Sequence, residues 1–330
     1  MPAFPRSPRP PRPPRVVPSS LRRPRVLIVG CGDVGARLLR ILSARLPRRL
    51  HAIAVTRDPS ARNRARALGA RALAVDLDDR RSIRRLGALG RWTLHLAPPQ
   101  PRGDDDLRFA ALLAAARPAL HAARLRTGAF ARARWVYLGT TGVYGDASGE
   151  RVDETRRIAP ASARARRRAA AESRLRSLAR DGLASASILR APALYAHDRL
   201  PIERLRRGDP VPHVHEDVFV NHVHADDLAR IAWLALFRGR PARIVHAADG
   251  EALRLGAWLE RIARALGEPA PPRASRTEIA AAHGGRLPRV LVESRRLDPS
   301  RLVGELRYRL RWPRIDSVLA DLRRRRGSAL

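Results

Sequence analysis

Apolar positions along the chain follow two alternating rhythms. Short continuous apolar runs, the first being Val26-Leu27-Ile28-Val29, have the character of strands buried on both faces. Between them lie segments with apolar residues three and four apart, such as Val34, Leu38, Leu39 and Leu42, which predict amphipathic helices. The rhythm predicts strands over 26–30, 51–56, 72–75, 92–97, 135–138 and 185–189. It predicts helices over 33–45, 59–68, 80–88, 105–124, kinked at Pro118, and 161–180. Strands alternating with helices predict an α/β fold, a doubly wound parallel sheet with helices on both faces. Beyond Arg190 the alternation breaks at Pro201, Pro210 and Pro212, and helices are expected over 224–238, 252–266 and 315–325. The expected division is a tail at 1–24, a sheet domain at 25–190 with contributions from about 217–247, and a smaller, mostly helical lobe at 191–330.

The first strand runs into Gly30-Cys31-Gly32-Asp33-Val34-Gly35, which opens the first helix. In that context the glycines predict a dinucleotide site. Gly30 allows the tight turn, Gly32 lets a pyrophosphate approach the backbone, and Gly35 lets helix pack on strand. The helix N-terminus adds unpaired amides and a positive dipole end for phosphate. The second strand ends in Thr56-Arg57 where an acid would suit NAD; a hydroxyl and a guanidinium suit the 2′-phosphate of NADP, so NADP is favoured over NAD. Asp76 and Leu77 after the third strand, and Leu96, Ala97 and Pro98 after the fourth, are the other candidates for cofactor contact. Cys31 at a helix N-terminus reads as a small spacer in the turn, or as a thiol of lowered pKa.

Composition changes this picture less than it promises. The formal net charge of +35 comes from 66 basic residues against 31 acidic, and every basic residue is arginine. Such a balance invites a nucleic-acid reading. Aromatics are only 4% of the chain and nowhere alternate with the arginines, so no specific nucleic-acid partner is expected. No apolar run is long enough to span a membrane, and a lone cysteine excludes an intrachain disulfide and fits a cytoplasmic address. Residues 1–24 are rich in Pro and Arg, without the apolar core of a signal peptide, and are expected to form an extended tail.

Three further stretches carry a resemblance. Leu138-Gly139-Thr140-Thr141-Gly142-Val143-Tyr144-Gly145, Leu189-Arg190-Ala191-Pro192-Ala193-Leu194-Tyr195 and His222-Val223-His224-Ala225-Asp226-Asp227-Leu228-Ala229 follow the glycine motif in order. Together the four resemble the short-chain dehydrogenase/reductase superfamily in its extended, NAD-dependent epimerase/dehydratase branch, which has an NAD(P)-binding Rossmann fold. The resemblance covers about residues 25–240 and implies an NAD(P)-dependent oxidoreductase acting on a small molecule, as a monomer or homodimer. It also implies a catalytic Ser/Thr, matched by Thr140, and a Tyr-x-x-x-Lys pair. Anchoring on Glu172 places that tyrosine at Arg164 and that lysine at Arg168. The chain has no lysine, and no tyrosine between Tyr144 and Tyr195, so the pair is absent. Arg168 can supply charge and a ribose contact, but a guanidinium stays protonated and Arg164 cannot shuttle a proton; it can only stabilise an oxyanion.

Thr140, Tyr144 and Arg168 are therefore the catalytic candidates, with Tyr144 as the substitute donor. Tyr195 and His197 are expected in a loop near the substrate. His213 with His215, and His222 with His224, form pairs that Glu216 or Asp226 could complete, but their spacing matches no common zinc site and no metal is expected. Asp226 and Asp227 are expected to cap the helix that follows, and Arg323–Arg326 to form a frayed, solvated helix end. Two other functional classes remain beside the oxidoreductase: a non-catalytic, redox-sensing NAD(P)-binding module, and non-specific association with nucleic acid through the arginine surface.

Overall fold

The computed structural model describes residues 24–46, 49–89, 91–127 and 133–327; the expected tail lies outside them, except for Pro24. Seven strands form one parallel sheet: β1 (Arg25–Val29), β2 (His51–Val55), β3 (Arg71–Leu73), β4 (Trp92–His95), β5 (Ala133–Thr140), β6 (Ala184–Ala191) and β7 (Arg243–His246). Their order is β3-β2-β1-β4-β5-β6-β7. The chain moves outward from β1, then returns past it to β4, so the strand order reverses between β1 and β4. In a doubly wound sheet that is where a crevice opens at the carboxyl ends of the strands.

Side chains of β1 alternate between two cores. Val26 and Ile28 join the face covered by α1 (Asp33–Leu42), while Leu27 and Val29 join the opposite face. This double burial explains the unbroken apolar run. The two short helices that follow, α2 (Pro59–Ala67) and α3 (Arg80–Arg84), are capped by Asp58 and Asp79, whose carboxylates accept from first-turn amides. The second face is covered by α4 (Leu107–Thr127), through Phe109, Leu112 and Ala116, and by α5 (Ala163–Arg180), through Ala171, Leu175 and Leu178. α6 (Ala225–Arg238) lies beside α1 on the first face. These layers are the expected α/β architecture, and β7 is the strand that the later part of the chain contributes.

A third core gathers Tyr195, Leu205, Val211, Trp258, Leu259, Ile315 and Val318 around α7 (Leu255–Leu266) and α8 (Ile315–Gly327). Two-residue and three-residue ladders pair segments outside the seven-stranded sheet, among them Ala193–Tyr195 with His222–His224 and Arg151–Val152 with Arg296–Leu297.

Several local expectations change. The helix expected over 80–88 ends at Arg84, and the turn that follows brings Gly87 so close to α4 that a Cβ there would lie 2.1 Å from the Ala115 carbonyl. The cap of α6 is His224, whose ring accepts from the Asp226 amide, and not the Asp226-Asp227 pair. Asp227 is instead buried, accepting from the Tyr308 hydroxyl and the Arg311 and Trp312 amides. At the other end of the chain, Arg324 and Arg325 pair within the helix with Asp321 at 3.1 and 2.7 Å while staying largely exposed to solvent.

Candidate functional site

The glycine turn follows β1 because only glycine satisfies its geometry there. Gly30 has φ +92°, and a Cβ on it would lie 2.5 Å from the Ala97 amide nitrogen. Its own amide and that of Cys31 donate to the Val55 carbonyl, tying the turn to β2. A Cβ on Gly35 would lie 3.0 Å from the Gly30 carbonyl. Gly32 differs: no atom lies within 4 Å of the position its Cβ would take. The protein does not fill that space, and it adjoins the first turn of α1, whose amides have no partner within the helix. Space and donors together fit a pyrophosphate.

A cleft of about 470 Å³ opens beside this turn. It brings together Gly30, Gly32, Asp33, Val34, Gly35, Leu96, Pro98, Thr140 and Arg168. Ala97 is buried behind Gly30 and does not line it. Arg57, Asp76 and Leu77 also lie outside it: Arg57 and Asp76 pair with each other at 3.5 Å in solvent, and Leu77 packs against the core. Arg164 stands on the wall of the cleft one helical turn before Arg168. Arg199, which the sequence did not mark, lines the cleft too and donates to Asp33 at 3.0 Å.

At the far end, Thr140 closes β5 and its Oγ1 accepts from the Gly142 amide at 3.2 Å. Arg168 is buried beside it. Its Nη1 donates to the Leu138 carbonyl at 2.8 Å, the Tyr137 hydroxyl at 3.1 Å and the Ala97 carbonyl at 3.3 Å. Its Nε is buried with no partner. Burial, then the neighbouring charges of Arg168, Arg289 and Arg167, push the Arg164 guanidinium below the usual arginine pKa.

Tyr144 is not part of this cleft. The turn after Thr140 carries it into a small core with Val143 and Val152. The ring of His246 donates from Nδ1 to the Asp298 carbonyl at 2.9 Å, so its Nε2 accepts the Tyr144 hydroxyl at 2.6 Å. Burial pushes the phenol up to about 12 and the imidazole down to about 4. Glu172, the anchor of the family resemblance, is buried in an ion pair with Arg190 at 2.6 Å, joining α5 to β6.

The remaining candidates are structural as well. Tyr195 is fully buried in the third core and its hydroxyl donates to the Trp312 carbonyl. His197 pairs with Asp321 at 3.0 Å and lies 3.3 Å from the His224 ring. Tyr195 ends a short strand where a loop was expected, and His197 lies in the turn that follows, half-buried. His213 and His215 follow the short strand Val211–Pro212, in a turn and not on a strand, with stacked rings. His222 stacks on Trp258 at 4.0 Å, and burial pushes it down to about 3. Among the described residues no three His, Cys, Asp or Glu side chains converge to hold a metal ion. Burial raises Cys31 to about 11, against the lowered value its helix-terminal position suggested; here desolvation outweighs the dipole. No helix among the described residues is long and apolar enough to cross a membrane.

Solved structures share this fold. A conserved protein of unknown function from Silicibacter pomeroyi is 25% identical, with a TM-score of 0.72 over 92% of this chain and 99% of that one. The UDP-glucose 4-epimerase of Thermus thermophilus, solved with NAD, is 23% identical, with a TM-score of 0.68 over 91% and 99%. That of Thermotoga maritima, solved with UDP-glucose, is 17% identical, with a TM-score of 0.70 over 91% and 99%. No curated protein sequence matches the chain. The sequence matches the NAD dependent epimerase/dehydratase family over residues 26–248, and with the Rossmann sheet and its glycine turn in place, the chain belongs to that family.

Proposed function

We propose that the chain is an NAD(P)-dependent oxidoreductase whose reacting end is built from Thr140 and Arg168 without a catalytic tyrosine. One observation carries this reading: a single cleft runs from the glycine turn to Thr140 and Arg168. The first turn of α1 would hold the pyrophosphate through Gly32 and its neighbouring amides. When bound, the nicotinamide supplies or accepts a hydride. Thr140 already accepts the Gly142 N–H, so its own proton is available to a substrate oxygen. Arg168 places fixed positive charge next to that position and favours a developing oxyanion. Of the titratable side chains on the cleft wall, the arginines stay protonated, and Asp33 is engaged by Arg37 and Arg199. The proton that balances the hydride therefore exchanges with water in the open cleft.

NADP is the favoured cofactor, on the strength of Thr56-Arg57 at the end of β2. Asp76 competes for Arg57. Arg57→Ala is expected to weaken NADPH binding about tenfold, near 1.4 kcal/mol, and leave NADH unchanged; equal loss for both would remove the preference. The function itself is tested by deuteride transfer from 4-deuterated NADPH to a panel of carbonyl compounds. Transfer to any of them supports the oxidoreductase. Tight NADPH binding with no transfer would establish the second reading, a non-catalytic NAD(P)-binding module. That reading is favoured by the absence, among the described residues lining the cleft, of a side chain that gives up a proton near neutral pH.

A further inference from the structure

A second cavity, about 150 Å³, adjoins the cleft and shares Pro192 and Ala193 with it. Its walls include Phe219, Val220 and Leu255, with Arg289 at its edge. Arg289 donates to the Oγ of Ser162, the cap of α5, two residues before Arg164. Two guanidinium groups thus meet where the cleft and the cavity join.

Their surroundings differ from those of the arginines that the protein itself neutralises. Arg37 has three carboxylate partners, Arg190 has Glu172, and Arg295 has Glu293. Among the described residues, none of Arg164, Arg168 and Arg289 has a carboxylate within 4.0 Å. The first turn of α5 also carries no acid. A helix N-terminus ordinarily favours anions, and Arg164 in the first turn faces the positive end of the dipole. Three like charges gathered there without a protein counter-ion make a site that is complete only with an anion bound.

We propose that Arg164 and Arg289 bind the carboxylate of a small oxo acid, whose short carbon chain occupies the second cavity. This rests on the oxidoreductase reading for its carbonyl chemistry, but not for the anion site. The cavity is about half the roughly 300 Å³ at which pockets for drug-sized ligands begin. A nucleoside diphosphate sugar does not fit it; an acid of a few carbons does. The planar fork of a guanidinium matches a carboxylate with two parallel hydrogen bonds. Glu293 and Arg295 in the same lining pair with each other at 2.8 Å, so the wall adds no further net charge, which suits a monoanion over a dianion such as phosphate.

The test is titration calorimetry of oxamate, a monoanionic oxo-acid mimic, and of inorganic phosphate, with and without saturating NADP. Wild type should bind one oxamate, more tightly than phosphate. Arg289→Ala and Arg164→Ala should each weaken oxamate at least tenfold, with Arg289→Lys intermediate. Both side chains are exposed, and a cooperative thermal transition with a midpoint no lower than that of the wild type confirms that each variant is folded. Oxamate binding equally to wild type and both alanine variants overturns the proposal, as does tighter binding of phosphate. The two readings fail separately. Oxamate binding without deuteride transfer removes the oxidoreductase and keeps the anion site. Transfer to neutral aldehydes without oxamate binding removes the anion site alone.

Discussion

Arg37 is bonded to Asp33 of the cleft wall near the glycine turn and Arg168 lines the cleft at its other end, and each is only 7% exposed. Arg37, on the helix that follows the glycine turn, donates to Asp33, Asp198 and Asp226 at 2.5–2.8 Å. These tie α1 to α6 and to the segment after β6. Arg168 has carbonyls and a phenol as partners and no carboxylate. Acidic residues are scarce here, 31 against 66 basic, so where they cluster and where they are withheld is informative. At the Arg37 end charge is neutralised by the protein, and the arginine is a structural knot. At the Arg168 end positive charge is left over, and the balance falls to whatever binds.

Stability measurements can break this contrast. Arg37→Ala leaves three carboxylates facing one another and should cost about 2–4 kcal/mol by urea unfolding, below a fully buried pair because Asp198 and Asp33 stay partly solvated. At the same end, Gly30→Ala forces a β-carbon against Ala97 at positive φ and should cost about 1–3 kcal/mol and abolish NADPH binding. Arg168→Met should cost only about 1–2 kcal/mol, from the unpaired Leu138 carbonyl and Tyr137 hydroxyl, while weakening NADPH binding. If Arg168→Met proved more damaging to the fold than Arg37→Ala, the distinction between knot and site would collapse. Arg164→Ala should raise stability by about 0.3–1 kcal/mol, read as a higher thermal midpoint, since it removes a cation from the wrong end of α5.

The smallest effect is the acid limb. Burial acts to raise the Asp198 carboxyl, but the hydrogen bond and charge of Arg37 outweigh it and hold the group below its usual range. Its contribution is then fully present above about pH 4 and is lost as pH falls through the folded value. With Asp198 well exposed, the amount is a few tenths of a kcal/mol, about the scale of a surface pair. Stability curves of wild type and Arg37→Ala should differ in slope only in that acid range.

The sheet was legible because burial on both faces leaves an unbroken apolar run, and because β1 and β2 end in short loops. The two-residue ladders outside the sheet left no such trace; Arg151–Val152 and Arg296–Leu297 pair across a long separation, with no periodicity to announce it. The glycine turn was legible because its demands fall on the backbone. The rest of the cleft depends on side-chain direction, which spacing does not reveal. Tyr144 sits four residues after Thr140, yet the intervening turn buries it against His246. Tyr195 follows the strand that ends at the cleft, yet points into another core. Arg199 and Arg289 carried no signal, because an arginine is unremarkable in a chain that uses arginine for every cation.

The burial of Cys31 has a practical consequence. It is the only thiol in the chain, sealed beneath the glycine turn and raised to about 11. A maleimide dye at neutral pH should leave it untouched. A cysteine introduced on the opposite edge of the sheet, at Arg180 before the turn into β6, would then be a unique attachment point far from the cleft. Conversely, any rate at which Cys31 itself becomes reactive counts how often the turn opens, and a ligand seated on that turn should slow the count.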